Sequence, residues 1–279
     1  MSRSLYDDSL RPGPGQGASE RPGPTAAPRD ARALDGKTVY SLRGERYRLN
    51  SSQSELLQQL GAFRTVTAAS LQNHVYQGDG TRFGKDLHSL RNQGLLSLRP
   101  SSRINGGYLS LTKAGRNLTE ANLRTNPDQA IYAGIVNKRA LRHDAAIYDM
   151  YRQEAQAISR SGGTPRRVVL DFELKKYVNR QLVKIQHLSR VEREPRRREI
   201  ARAHGLKMVG GHIQFPDVRI EFESRDQEPC TVDLECVNRN YGAEAVAAKS
   251  AAGFKLYNQD YRGKSAERGQ DLVGEVLSL

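Results

Sequence analysis

The chain has 279 residues, with 44 Lys and Arg against 31 Asp and Glu, a net charge of +13, and 37% hydrophobic residues without tryptophan. Such a length holds one large or two small domains. No apolar run reaches the roughly eighteen residues of a membrane span, and the first ten residues lack the apolar stretch of a secretory signal. Two cysteines, Cys230 and Cys236, do not make a disulfide scaffold and fit a reducing cytoplasm. The cationic excess calls for an anionic partner, nucleic acid before membrane.

That excess is uneven. Residues 1–35 carry 5 basic and 5 acidic residues and are neutral, 36–118 carry 12 and 4 for a net +8, 119–215 carry 19 and 10 for a net +9, and 216–279 carry 8 and 12 for a net −4. Residues 1–35 are rich in Pro, Gly, Ala and Ser, with Arg-Pro-Gly-Pro at Arg11–Pro14 and again at Arg21–Pro24. Such a composition buries too little apolar surface to offset its conformational entropy, so a disordered tail is expected.

Residues 36–120 read as one folded unit. Val39–Arg43 and Arg46–Leu49 flank Gly44-Glu45 as a short hairpin. Ser52 with Glu55 forms a capping-box pattern for a helix carrying Leu56, Leu57 and Leu60. Thr67 opens a second helix, Ala68–Gln77, and Thr81 a third that runs to about Gln93 with Gly94 closing it. Phe83, Leu87 and Leu90 define the third helix's buried stripe, leaving Arg82, Lys85, Ser89 and Asn92 on the opposite face. Strands Leu95–Arg99 and Tyr108–Leu111 follow, and Leu111-Thr112-x-x-Gly115-Arg116 leads into another helix.

Helix, helix, turn, helix and a two-stranded wing closed by Leu-Thr-Lys-Ala-Gly-Arg resemble a winged helix-turn-helix domain. The resemblance implies a third helix in the major groove of double-stranded DNA, where Arg reads guanine and Asn reads adenine. Arg82, Ser89 and Asn92 would face the bases, Lys85 and Arg91 the phosphates, and Arg99 and Arg103 of the wing the phosphates or the adjacent minor groove.

After a linker at 121–138, a second unit spans 139–279. Leu141, Ala145, Tyr148, Tyr151, Ala155 and Ile158 predict a helix over 139–160, and Val168–Phe172 a strand. Residues 174–203 are helical in pattern with a break at Pro195. Arg193, Arg196, Arg197, Arg198 and Arg202 form a basic run that is either a solvated face or a second phosphate-contacting surface. Residues 213–223 alternate as a strand, and Thr231–Val237 is a second one. Pairing Arg219 with Asp233 sets Asp217 opposite Glu235, two carboxylates in position for a divalent cation.

Pro216-Asp217, an acidic strand and the surrounding helices resemble the PD-(D/E)XK nuclease core. The strand reads Glu235-Cys236-Val237, without the lysine of that motif, and Lys249 on the following helix is the candidate substitute. Asp171-x-Glu173-x-Lys175 is a second acid-plus-lysine cluster. The fold class expected is therefore α+β: a winged helix followed by an α/β domain with a small mixed sheet.

Gly61-x-Phe63-Arg64, Arg142-His143-Asp144 and Pro216-Asp217 with the acidic strand resemble, over about residues 40–260, the replication-relaxation family of plasmids and conjugative elements. The resemblance implies a cytoplasmic double-stranded DNA-binding protein of transcriptional regulation or plasmid replication and mobilisation. A homodimer and other DNA-processing proteins are the expected partners, and no cofactor is needed. The alternative is a Mg²⁺-dependent DNA nuclease using Asp217, Glu235 and Lys249, with Asp217 and Glu235 as metal ligands. The six histidines show no metal-binding spacing, and Asp271–Leu279 is apolar enough to dock on the body.

Overall fold

A computed structural model describes residues 36–135, 140–237 and 241–258, and the backbone of 32–34. Within the tail expected at 1–35, residues 32–34 form a strand paired antiparallel with 37–39, while 1–31, 35 and the docking of Asp271–Leu279 lie outside the described residues. The fold is mixed α and β: eight α-helices and four small sheets among the described residues. No helix there is long and apolar enough to cross a membrane.

The first sheet is β1 (Arg32–Leu34), β2 (Lys37–Leu42) and β3 (Glu45–Leu49). The β2–β3 turn falls on Arg43-Gly44, one residue earlier than expected. Both have positive φ, 53° and 86°, the pair of values that a two-residue turn matched to strand twist requires. Helix α1 (Ser51–Ala62) opens at Asn50 rather than Ser52. Asn50 exchanges a capping box with Gln53, and its amide also donates to both oxygens of Asp86 at 3.0 and 3.2 Å. Ser52 is left inside the helix.

Strand β4 (Val66–Thr67) leads into α2 (Ala68–Val75), capped by Thr67 as expected. Helix α3 (Gly80–Asn92) starts two residues earlier than a Thr81 cap implies, because Asp79 accepts from the Arg82 N–H and takes the cap. Strands β5 (Leu96–Arg99) and β6 (Tyr108–Leu111) complete a sheet of order β4-β6-β5. Thr112 caps α4 (Lys113–Leu118), which continues as a π-helical turn over Thr119–Leu123. Gly115 is required here: a β-carbon at that position would lie 1.9 Å from the Leu95 carbonyl oxygen. The stretch expected as a linker is packed. Ile131 is buried, Tyr132 N–H donates to Gly61 O at 2.8 Å and Gly134 N–H to Leu111 O at 2.9 Å.

Helix α5 (Leu141–Arg160) and strand β7 (Thr164–Leu170) follow. The strand ends before Asp171, because Asp171 and Glu173 supply the negative charge that favours the first turn of α6 (Asp171–Lys184). The basic segment is a second helix, α7 (Arg190–Ala203), and Pro195 lies inside it without ending it. The break falls instead before Ser189, which forms a capping box with Glu192. A short hairpin, β8 (Met208–Val209) and β9 (His212–Ile213), precedes β10 (Val218–Glu223) and β11 (Pro229–Val237). Helix α8 (Ala243–Ala252) then crosses to β12 (Lys255–Asn258), giving a sheet of order β12-β11-β10-β7. Strands β7, β10 and β11 are antiparallel and β12 is parallel to β11.

Arg219 stands opposite Asp233, the register that the alternation predicted. Its guanidinium is buried but fully engaged. It holds both Asp233 oxygens at 2.7 and 2.8 Å and donates to the carbonyls of His204 and Gly205. The α7 terminus is thereby tied to the sheet.

One hydrophobic core runs from Tyr40 in the first sheet to Cys236 in the last. Its junction is aromatic: Phe63 lies 5.1 Å from Tyr148 and 5.0 Å from Tyr151 of α5, and His74 lies 5.9 Å from Tyr148. Truncating Phe63 to Ala is expected to cost about 3–5 kcal/mol, with both halves losing structure in one transition during denaturant unfolding. The buried Tyr148 hydroxyl has no hydrogen-bond partner among the described residues. Tyr148→Phe should therefore be neutral or stabilising by about 1 kcal/mol in the same measurement.

Candidate functional site

Two constellations stand out: the outward face of α3 with the β5–β6 hairpin, and a knot of charge at one end of the β7–β10–β11 sheet. On α3, Phe83, Asp86 and Leu90 are buried. Asp86 is satisfied by Asn50 and by the Tyr76 hydroxyl at 3.1 Å, which locks the helix to α1. Lys85, His88, Arg91 and Asn92 are exposed, and Asn92 Nδ2 lies 2.9 Å from His88 Nε2.

The other two expected contacts on α3, exposed Arg82 and half-buried Ser89, already have partners within the protein. Arg82 Nη2 donates to Ser52 Oγ at 2.5 Å, and half-buried Ser89 accepts from the Gln93 amide at 3.3 Å. His88, which sequence reasoning passed over, lies on the exposed side because it follows Lys85 by three residues. On the hairpin, Arg103 is exposed and Arg99 half-exposed. The loop between them closes on Gly106 and Gly107, both at positive φ, and a β-carbon on Gly107 would lie 2.4 Å from the Arg99 carbonyl oxygen. Lys85, Arg91, Arg99 and Arg103 have no carboxylate partner among the described residues.

The second constellation is built by Asp217, just ahead of β10, and Glu235 on β11. The Asp217 N–H donates to Leu234 O and to Glu235 Oε2, each at 3.1 Å, which brings the two residues together at the end of the ladder. Asp217 Oδ2 accepts from the Cys236 N–H at 2.8 Å, and Oδ1 lies 3.2 Å from His143 Nε2 of α5. Glu235 Oε1 receives the Tyr241 hydroxyl and Lys249 Nζ, each at 2.8 Å, and Lys249 also donates to Phe215 O at 2.5 Å. Lys249 of α8 thus reaches Glu235 from outside the sheet.

The hydrogen bond to Asp217, with a smaller contribution from the Cys236 side chain, raises the His143 pKa from 6.5 to about 10 against the opposing effect of burial. Burial and the charge of Asp217 push the Glu235 carboxyl up, opposed by Lys249 and Tyr241. Burial likewise raises Asp144, the neighbour of His143.

The second acid-plus-lysine cluster comes apart. Lys175 pairs with Asp171 at 2.7 Å, while buried Glu173 turns away to the Tyr132 hydroxyl and to Arg167 at 3.5 Å. Arg64 lies over the Phe172 ring at 3.4 Å. Of the cysteines, Cys236 is buried and Cys230 half-buried, and both are free.

A divalent cation fits this arrangement poorly. All four oxygens of Asp217 and Glu235 already accept from protein donors, two of which are cationic side chains. Among the described residues no group of three or more His, Cys, Asp or Glu is placed to hold a metal. Comparison with protein-family models, curated proteins and solved structures finds no match to this chain.

Because the folded pKa of His143 lies above its unfolded value, its stabilisation is complete below about pH 6.5 and lost as pH rises toward 10. Denaturant titrations of wild type and His143→Gln from pH 5.5 to 10 should show the largest stability gap at the acid end and convergence at the alkaline end.

Proposed function

We propose that the protein is a double-stranded DNA-binding accessory or regulatory protein whose first half works as a winged helix. The single observation that carries this reading is the unneutralised charge of Lys85, Arg91, Arg99 and Arg103 on α3 and the hairpin, beside exposed Asn92. A helix locked from behind by Asp86 and Leu90 is a rigid probe for the major groove, and Asn92 has the donor–acceptor pair that matches adenine. The wing arginines reach the flanking backbone. Arg82, held by Ser52, supports the helix and contacts a base only after leaving that partner. Plasmid replication, mobilisation and transcriptional regulation are the processes that such a protein serves.

DNA fragments retained by the purified protein from its own genome supply the site. On that duplex, Asn92→Ala is expected to weaken specific binding by about 1–3 kcal/mol and relax the preference at one position. Lys85→Ala and Arg91→Ala should weaken all sequences alike and each lower the salt slope by about 1. Unchanged discrimination in Asn92→Ala would remove the base-reading role of α3.

The second reading is a PD-(D/E)XK-type nuclease, favoured by one observation: Lys249 reaches Glu235 from α8. The sheet order β7-β10-β11 followed by α8 and a parallel β12 also suits it. Against it stands the occupation of all four carboxylate oxygens by protein donors, two of them cations, which supports a charge knot that joins α5, β10, β11 and α8. Supercoiled plasmid incubated with the protein and Mg²⁺ or Mn²⁺ should remain uncut. Cleavage that disappears in Asp217→Asn would establish the nuclease instead.

A further inference from the structure

The basic run on α7 is partly neutralised within the protein. Arg196 pairs with Glu199 at 2.8 Å, Arg197 with Glu194 at 3.1 Å and Arg198 with the same Glu194 at 3.8 Å. Arg193 donates to Leu188 O and Arg197 also to Gly211 O. The sequence drew attention to this run, and three of its five arginines are paired with two glutamates of the helix itself.

The neighbouring helix is different. The inner face of α6 is Leu174, Val178 and Leu182, and Val178 sits with Ala201 and Leu206 in a small core under α7. Opposite it, Lys176, Arg180 and Lys184 recur at i, i+4 and i+8, all exposed and none with a carboxylate or other partner among the described residues. Four helical residues advance about 6 Å, so the row extends about 12 Å. His187 continues it, and Tyr177 and Val183, 44% and 60% exposed, flank it. The row begins beside the sheet end: the Asp171 N–H that opens α6 donates to Asp217 O.

A straight row of unpaired cations with an apolar flank matches a linear polyanion, whose charges also repeat along a line. Folded acidic proteins present carboxylates in scattered patches. We propose that the outward face of α6 is a second, sequence-independent contact for the phosphate backbone of duplex DNA. The proposal rests on the DNA-binding reading above and adds a surface separate from α3 and the hairpin.

The test uses the full chain and a fluorescent 40-base-pair duplex of mixed sequence, titrated by anisotropy from about 50 to 300 mM salt. The triple variant Lys176→Ala, Arg180→Ala, Lys184→Ala should lower the slope of log affinity against log salt by about 2–3 and weaken binding about tenfold or more at the low-salt end. Its thermal melt should match wild type, because the three side chains are exposed. Lys176→Arg with Lys184→Arg should keep the wild-type slope, since charge is retained. If the triple variant binds as wild type does while Lys85→Ala, Arg91→Ala is weakened, α6 is only a solvated face and the DNA-binding reading survives alone. If wild type fails to bind the duplex even at low salt, both fall. Vesicles containing phosphatidylserine form the control arm. A loss confined to vesicle binding would assign α6 to a membrane surface and overturn the proposal.

Discussion

Tyr148 is the point on which the two halves of the molecule depend. It is fully buried on α5, with its ring edge-on to Phe63 of the first unit and close to His74 and Tyr151. Aromatic contacts of this kind add about 0.5–1.5 kcal/mol each beyond the area they bury. The same helix carries His143, which reaches Asp217, and Glu154, which binds Lys255 and Tyr257 of β12 at 2.6 and 2.7 Å. A twenty-residue helix is about 30 Å long, enough to serve the first unit and the last sheet together. The segment after α4 reinforces this joint through Ile131 against Gly61, where a β-carbon would lie 2.9 Å from the isoleucine.

The charges are divided by depth. A buried guanidinium is stabilising only if its hydrogen-bonding capacity is met, and Arg219 meets that condition with four acceptor contacts. On α7, Arg196, Arg197 and Arg198 are paired with Glu199 and Glu194 near the surface, and such pairs contribute only about 0–1 kcal/mol each. Their main effect is to cancel charge. On α3, the hairpin and the outward face of α6 the cations have no carboxylate partner among the described residues.

Local signals in the sequence proved dependable where they were short-range. The third helix, its closing Gly94, the Thr67 and Thr112 caps and the Arg219–Asp233 register all follow from periodicity or from neighbours a few residues apart. The caps of α1 and α3 were displaced because Asn50 and Asp79 precede Ser52 and Thr81 and also satisfy other groups. Asn50 does so through Asp86, 36 residues away, a partner that no window around the helix start contains. The helix break moved for a similar reason. Pro195 costs one hydrogen bond inside α7, whereas the Ser189–Glu192 capping box creates a start that the alternation could not weigh. His143 was legible only as half of a polar pair with its neighbour, since its true partner is 74 residues distant.

Asp217 and Glu235 illustrate why residue types at the right spacing do not by themselves define a reaction. Two carboxylates at a strand end repel, and the repulsion has to be relieved by a metal, a proton or a cationic side chain. Here the protein supplies the third remedy twice, with the His143 imidazolium on one acid and the Lys249 ammonium on the other. The cations come from α5 and α8, and the acids from the strand ends between those helices. Each ion pair therefore also closes a tertiary contact. The charge that would recruit a divalent ion is consumed in holding α5 and α8 to the sheet. By contrast, Lys85 and Arg91 of α3 and Lys176, Arg180 and Lys184 of α6 are exposed and have no carboxylate partner among the described residues.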